Sequence, residues 1–371
     1  MTLNTNKIRV FGLDLMRAFA IVLVVVGHCL WIYPNATGLV ASVAHIFAFL
    51  GVEIFFVLSG FLIGSILCRL YVEEEFTKAT VFHFLKRRWF RTLPGYYLAV
   101  LINVLIAYLL ASPVENIAQY LIFIQNFNTP MLVFFAESWS LSVEEYSYLI
   151  LPFCLLFLSV FFKPKNRSRF FGLMVCAFIL LSFIARILFH YHTQNIDIMI
   201  WNSGLKSVVI YRLDSIFIGV LCSWIAIYFK AIWVKYKTVF CLLGFFSIGF
   251  LFVGIGYFQI LIETHPLFWN VFYLPLVSVA IAFFLPLLSE WKTFDYRLSK
   301  AITFTSVISY SIYLLHYSII LQLMKNFIAV DPRNTTALHI FTFIYCFVTL
   351  IASYLMYRFF EKPIMDLRDR N

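Results

Sequence analysis

The sequence predicts an all-α, polytopic membrane protein with ten transmembrane helices, both termini cytoplasmic and a re-entrant or interfacial outer segment at about 117–136. The first observation is composition, because 63% of the 371 residues are hydrophobic and only 12% are charged, far from the averages of soluble domains. The second is the presence of ten apolar segments of about 20 residues each, the length that crosses a hydrocarbon core of about 30 Å. The third is the distribution of basic residues among the loops.

Short polar loops separate the apolar segments along the whole chain. The segments lie at about 12–32, 45–68, 92–111, 139–162, 170–190, 207–229, 238–257, 268–289, 301–323 and 339–358. We expect them to span a lipid bilayer and to form a single membrane domain over residues 1–371.

Basic residues occupy alternate loops. When the spans are numbered in order, 23 of the 28 Lys and Arg residues fall on one side, which is cytoplasmic by the positive-inside rule. The net charge of +10 therefore reflects topology, and we expect no nucleic-acid partner. The seven cysteines contain no CxxC pair, so we expect neither a disulfide framework nor a metal site.

Residues 117–136 are almost apolar enough to form an additional span. However, Arg91 before the third span and Lys163 after the fourth both belong to cytoplasmic groups, and the third and fourth spans already supply the even number of crossings that this requires. We therefore expect the segment to stay on the outer side, where protein or a cavity must cover its polar backbone. Gln125 and Asn126 fit that role.

The first span carries two ionisable residues, Arg17 and His28. Their spacing of eleven residues places them on one helix face, about 16 Å apart along the axis. Ionisable residues within a span are costly and are functional-site candidates. The alternative interpretation is that Arg17 marks the cytoplasmic end of the helix and His28 is an interfacial histidine.

With the spans oriented, ionisable residues of four further spans fall near the depth of His28. They are Glu53, Glu144, Glu145, Arg212, Asp214 and His316. Arg212 and Asp214 are expected to pair with these carboxylates in a structural network. An imidazole beside a carboxylate is a general-base arrangement. Since adjacent Glu144 and Glu145 point about 100° apart on a helix, at most one of them is expected to support His28 directly.

A second polar cluster lies near the cytoplasmic side. Arg87, Arg88 and Arg91 precede the third span, and alone they are best explained as topology-setting charge. Together with Arg17 they would form a phosphate-binding mouth, because guanidinium groups match phosphate oxygens. A phosphate-bearing ligand on the inner side and a base near the outer side indicate group transfer through the bilayer.

Several motifs occur in an order and at depths that match one family. They are Arg17 followed by ten residues and then His28, FFVLSGFL, RRWFR, SWSLSVEE, RLD at Arg212, YSIYLLH and FFEKP. The chain resembles the acyltransferase-three family of membrane acyltransferases over nearly its whole length. Ser147, where the family usually has an aromatic residue, and Glu53, where Asp is frequent, are the departures.

The resemblance implies transfer of an acyl group, usually acetyl from acetyl-CoA, to a hydroxyl of a saccharide or small product at a bacterial cytoplasmic (inner) membrane. It implies that His28 is the essential base, that Arg17 and the basic run Arg87, Arg88 and Arg91 bind the CoA phosphates, and that Glu144 or Glu145 supports the site. We expect acyl-CoA as a substrate, no permanently bound cofactor, and no appended esterase-like domain.

The sequence leaves alternatives open for the role of Ser59 and for the function of the protein. Ser59 could line the tunnel or, with Gly60, allow close helix packing. Within the enzyme class, the alternative acceptor is a small secondary metabolite acylated from the cytoplasmic side. From another class, a secondary transporter would also carry charges near the midplane, but it should show paired halves with similar broken helices, and none stand out.

Overall fold

A computed structural model describes residues 9–114, 116–193, 197–295 and 297–368. The described residues form a helical bundle without β-strands. The helices are α1 Phe11–His28, α2 Gly38–Glu73, α3 Lys78–Leu109, α4 Ile117–Leu121, α5 Ser138–Phe162, α6 Arg167–His192, α7 Ile198–Trp201, α8 Leu213–Tyr228, α9 Lys230–Lys235, α10 Lys237–Gly249, α11 Ile255–Tyr257, α12 Leu274–Ala282, α13 Leu285–Glu290, α14 Arg297–Leu315, α15 Gln322–Phe327, α16 Thr335–Met356 and α17 Lys362–Arg368.

Short π-helical segments join several of these helices into longer rods. They are Asn202–Lys206, Phe250–Gly254, Phe268–Tyr273, His316–Leu321 and Tyr357–Glu361. Within the described ranges, nine rods are long and apolar enough to cross a membrane. The span predicted at 207–229 is the 16-residue helix α8, which at 1.5 Å per residue is about 24 Å long and shorter than a typical hydrocarbon core. The count of ten spans therefore stays a prediction.

The segment at 117–136 forms no spanning helix, as predicted. After the five-residue α4 the chain continues in turns, and the side chains of Gln125 and Asn126 are buried against protein. Gln125 donates to Ser142 Oγ at 2.7 Å, and Asn126 donates to the carbonyls of Trp139 at 3.0 Å and Ser207 at 2.7 Å. These bonds satisfy amide N–H donors for which lipid offers no acceptor.

Contacts between loops and helix ends show which of them lie at the same end of the bundle. At what we call the basic end, Arg167 donates to the Glu74 carbonyl at 2.9 Å and Arg368 to the Arg87 carbonyl at 3.3 Å. At the opposite end, the Tyr33 hydroxyl contacts His339 at 2.8 Å. Loops predicted to share a side of the membrane thus meet in the fold. The chain termini, predicted to be cytoplasmic, lie outside the described residues.

Single-cysteine labelling should assign the two ends to the two sides of the membrane. In a cysteine-free background, a cysteine at Asn334 should react with an impermeant maleimide in intact cells, whereas one at Lys165 should react only after permeabilisation. Both positions are exposed, so substitution should not disturb the core, and the change at Asn334 removes only the cap hydrogen bond that this residue accepts from the Ala337 N–H. Labelling at position 165 in intact cells would contradict the positive-inside assignment.

Helix α2 lies at the centre of the bundle because small residues let its neighbours approach closely. A Cβ added at Gly60 would lie 2.0 Å from the Ile216 carbonyl oxygen of α8, and one added at Gly51 would lie 2.6 Å from the Ala20 carbonyl oxygen of α1. This close packing fixes α1 and α8 on either side of α2. It thereby positions His28 and Arg212 relative to the buried face of α2.

Candidate active site

A cavity of about 1050 Å³ enters the bundle from the basic end. Near that end its walls carry exposed Arg69, Glu73 and Lys230. Towards the middle of the bundle the lining is largely apolar or hydroxylic, and its deep residues include Phe55, Ser59, Ser140 and Tyr313. The lining of the cavity therefore changes from charged residues at the mouth to aromatic and hydroxyl groups at the deep end.

Three of the four predicted donor arginines line this cavity: Arg17, Arg88 and Arg91. Arg17 donates to Ser306 Oγ at 3.3 Å and lies 3.6 Å from Asp14. Arg88 is neutralised by Glu144 at 2.9 Å.

Arg91 differs from the other two cavity arginines. It is exposed to the cavity and, within the described part of the chain, its guanidinium has no hydrogen-bond or ion-pair partner. Arg91 is consequently the best-placed guanidinium for an incoming anion. Arg87, the fourth predicted residue, is not among the cavity-lining residues that the structure describes.

One of the two adjacent glutamates of α5 was predicted to lie beside His28. Among the described residues, both have other partners. Glu144 accepts hydrogen bonds from Arg88 at 2.9 Å and from the Tyr148 hydroxyl at 3.0 Å. Glu145 is buried and accepts from Thr92 Oγ1 at 3.0 Å. Since Glu144 comes six residues after the start of α5, it lies about 9 Å along that helix and faces the arginines of α3. Ser59 belongs to the same cluster, because its hydroxyl bonds the Tyr148 hydroxyl.

His28 instead pairs with His316, another predicted site residue. Nδ1 of His28 lies 2.8 Å from the Val24 carbonyl and 3.3 Å from Nε2 of His316. Nδ1 of His316 lies 2.8 Å from the Tyr313 carbonyl. Because a carbonyl oxygen only accepts, these contacts imply a proton on Nδ1 of both neutral rings. The Nε2 atom of His28 is then left as a proton acceptor.

The π-helical geometry at His316 contributes to this pairing. His316 begins the segment His316–Leu321, where the wider helical turn re-aims side chains, and such segments are frequent at functional sites. Tyr317 in the same segment lies against His28, with ring centroids 4.8 Å apart. The imidazole of His28 is therefore held between two side chains of one rod.

Glu53, Arg212 and Asp214 form a separate, fully buried network. Glu53 binds Arg212, as predicted, and also accepts from Ser278 Oγ at 3.3 Å. Asp214 pairs with Arg186 at 2.7 Å, and both side chains are inaccessible to solvent. Sequence reasoning missed Arg186, although an arginine inside the predicted span at 170–190 is itself a signal for a buried partner. The two ion pairs link α2, α6 and α8.

Glu137 is a further buried carboxylate that sequence reasoning missed. Its Oε1 accepts from the backbone N–H of Ser318 at 3.1 Å and from Ser318 Oγ at 2.7 Å. Ser318 is two residues after His316, so this contact ties the start of α5 to the π-helical segment. The available signal was its position directly before SWSLSVEE.

Tyr313 closes the deep end of the cavity. Its hydroxyl is 2.6 Å from Ser140 Oγ and donates to the Glu137 carbonyl at 3.1 Å. Its ring lies 6.2 Å from that of Phe55 and 5.8 Å from that of His316. Among the described residues, neither histidine lines the cavity. Tyr313 therefore forms a partition between the cavity and the histidine pair.

These features define a class: a multi-pass membrane protein with a cationic cavity that leads towards a buried basic side chain. A family model described as an acyltransferase domain matches residues 10–358. The chain belongs to this acyltransferase family.

Similar proteins were found in Staphylococcus aureus. The chain is 27% identical over 373 residues to O-acetyltransferase OatA of strain NCTC 8325 / PS 47, and it shows the same identity to OatA of strain COL. Each match covers 95% of this chain and 57% of the relative, so the chain spans little more than half the length of these curated relatives. No solved structure matches the chain.

Proposed function

We propose that this protein is a membrane O-acyltransferase that moves an acyl group, acetyl in the simplest case, from cytoplasmic acyl-CoA to a hydroxyl of a cell-surface saccharide. The observation that carries the proposal is the arginine-lined cavity, whose deep end lies one partition away from the His28 and His316 pair. Membership of the acyltransferase family and the name of the OatA relatives support it.

The cavity suits a long anionic donor. Its volume of about 1050 Å³ is at the upper end of the usual range for small-molecule sites, and coenzyme A combines phosphate groups with a thin pantetheine arm. In the proposed complex, Arg91 and Arg17 bind the phosphates near the basic end. The arm then carries the thioester along the apolar lining towards Tyr313.

The proposed reaction begins at the Nε2 atom of His28. This atom takes the proton of the acceptor hydroxyl, whose oxygen attacks the thioester carbonyl carbon. A C–O bond forms, the C–S bond breaks, and the CoA thiolate leaves and receives the proton from the imidazolium. The Val24 carbonyl and His316 hold the Nδ1 side of the ring, so that Nε2 stays available. General-base catalysis of this kind contributes about 10²–10⁴-fold.

Replacing Arg91 by Ala should raise the KM for acetyl-CoA about 10-fold or more, because a hydrogen bond to a charged group contributes about 1.5–3 kcal/mol. Folding should be unaffected, since the guanidinium has no protein partner among the described residues. Initial rates against acetyl-CoA concentration measure the effect. Lys165→Ala is the matched control, because this exposed lysine lies in a basic loop away from the cavity. An unchanged KM in Arg91→Ala would make that arginine a topology signal only.

The decisive experiment uses purified protein with radiolabelled acetyl-CoA and saccharide acceptors. The proposal expects release of CoA thiol together with a base-labile ester on the saccharide. Loss of an ester from the surface glycan of a deletion strain would identify the acceptor. Movement of a substrate across vesicles without thiol release would indicate a secondary transporter instead, and an ester on a small metabolite would replace the saccharide acceptor.

A further inference from the structure

Resting on the proposed function, we infer that Lys206 and the rings of Phe49 and Trp139 form an acceptor subsite for a saccharide that carries an anionic group, a carboxylate or a phosphate. Lys206 ends the π-helical segment Asn202–Lys206. Among the described residues that line the donor cavity, Lys206 does not appear. The subsite is thus distinct from the donor mouth.

The position of the ammonium is defined by two aromatic rings. Nζ of Lys206 lies 5.4 Å from the ring centroid of Trp139 and 5.8 Å from that of Phe49. Phe49 is itself stacked on Tyr273 with centroids 5.8 Å apart, and Trp139 meets Phe56 edge to face at 5.6 Å. These neighbours fix both rings, so the cation is held in place rather than free in solution.

The charge of Lys206 lacks a counterion. Across the ranges that the structure describes, the ammonium makes no hydrogen bond and has no carboxylate within 4 Å, while the nearby Glu53 and Arg212 neutralise each other. Burial lowers the pKa of Lys206 to about 8. A partly buried cation is costly unless it is paired, and cation–π contacts offset only part of that cost. An anionic ligand would supply the missing partner.

The subsite lies beside the proposed base. The residue before His28 packs against the residue before Phe49, because a Cβ added at Gly27 would lie 2.4 Å from the backbone nitrogen of Ala48. In the proposed complex, an acceptor whose anionic group binds the ammonium presents neighbouring hydroxyls towards Nε2. The half-buried ring of Phe49 provides apolar surface for the sugar ring, whereas Trp139 is buried and holds the ammonium in place. Recognition by a few polar groups within apolar walls is the usual composition of a small-molecule site.

Matched acceptors test this inference. Acetyl transfer from acetyl-CoA should be measured with methyl glucuronide, glucose 1-phosphate and neutral methyl glucoside. We expect kcat/KM for at least one anionic probe to exceed that for the neutral probe about 10-fold, and the better probe identifies the carboxylate or the phosphate. Lys206→Met should raise the KM for that probe about 10-fold without changing its KM for acetyl-CoA or the rate with methyl glucoside. Lys206→Arg should retain most of the preference.

Lys325→Met is the control, since this exposed lysine lies at the same end and donates to the Trp31 carbonyl instead. Transfer by the parent without any preference for an anionic probe would overturn the subsite while leaving the proposed function intact. An equal loss with charged and neutral probes in Lys206→Met would also overturn it. If Lys206→Met fails to fold, the test uses the parent protein. Its preference for an anionic probe should weaken as the salt concentration rises. Failure of the parent to transfer acetyl to any acceptor would overturn both proposals.

Discussion

Replacing His28 by Gln should lower acyl transfer by about 10²-fold or more while the protein remains folded and membrane-inserted. Gln keeps a polar side chain but has no proton acceptor of useful basicity, and general-base catalysis contributes about 10²–10⁴-fold. The imidazole occupies a polar contact with Val24 and His316, so its loss removes no large apolar surface. Transfer rates per folded molecule, measured after size-exclusion chromatography in detergent, give the comparison.

His265→Gln is the matched control for this experiment. His265 is an exposed histidine in the loop before the Phe268–Tyr273 segment, so the same chemical exchange there should leave transfer unchanged. Near-parent transfer by His28→Gln would show that another group takes the proton. A loss of folded protein with full activity in the remainder would make His28 a structural residue.

Replacing Glu53 by Ala should destabilise the folded protein severely. Glu53 and Arg212 are both inaccessible to solvent and bind each other, and removing one member of a buried ion pair costs about 3–5 kcal/mol because the other charge is left uncompensated. The expected result is a large drop in the thermal midpoint and in the yield of monodisperse protein. Both are measured by fluorescence-detected size-exclusion chromatography after heating.

A double variant separates lost charge pairing from lost packing. Glu53→Met combined with Arg212→Met replaces the pair by apolar side chains of similar length, and such replacements of buried ion pairs are often neutral or stabilising. We therefore expect the double variant to be more stable than Glu53→Ala. A Glu53→Ala protein that melts like the parent would show that water or another group already neutralises Arg212.

The fold was largely predictable because hydropathy and loop charge act over whole segments. Nine of the predicted spans appear as long apolar rods among the described residues. The segment at 117–136 forms no such rod, as predicted. Span length was less predictable at α8, where the preceding ten residues contain a short 3-10 segment, Val209–Tyr211, instead of a continued helix. The backbone N–H groups of Val209 and Ile210 donate to carbonyls of the 117–136 segment instead of to a helix, so α8 begins only at Leu213. Such a tertiary contact has no local signature.

The site was predictable in composition but not in pairing. Arg17, Arg88 and Arg91 line one cavity, and His28 and His316 meet, whereas Glu144 pairs with Arg88 instead of His28. One helical turn advances a side chain by about 5.4 Å, so a small error in the relative depth of two helices exchanges one partner for another. Helix register is fixed by close contacts such as that of Gly60 with Ile216, which only the assembled bundle reveals.

The partition at Tyr313 has an electrical consequence. Water and ions in the cavity would have the electrical potential of the solution at the basic end. The part of the protein that separates the two solutions is then only the layer from Tyr313 through the histidine pair to the opposite end. In an energised membrane, most of the voltage then falls across this thin layer. Moving one elementary charge through the full voltage changes its free energy by about 2.3 kcal/mol per 100 mV. A proton held on His28 therefore lies where the local electric field is steeper than across the surrounding lipid.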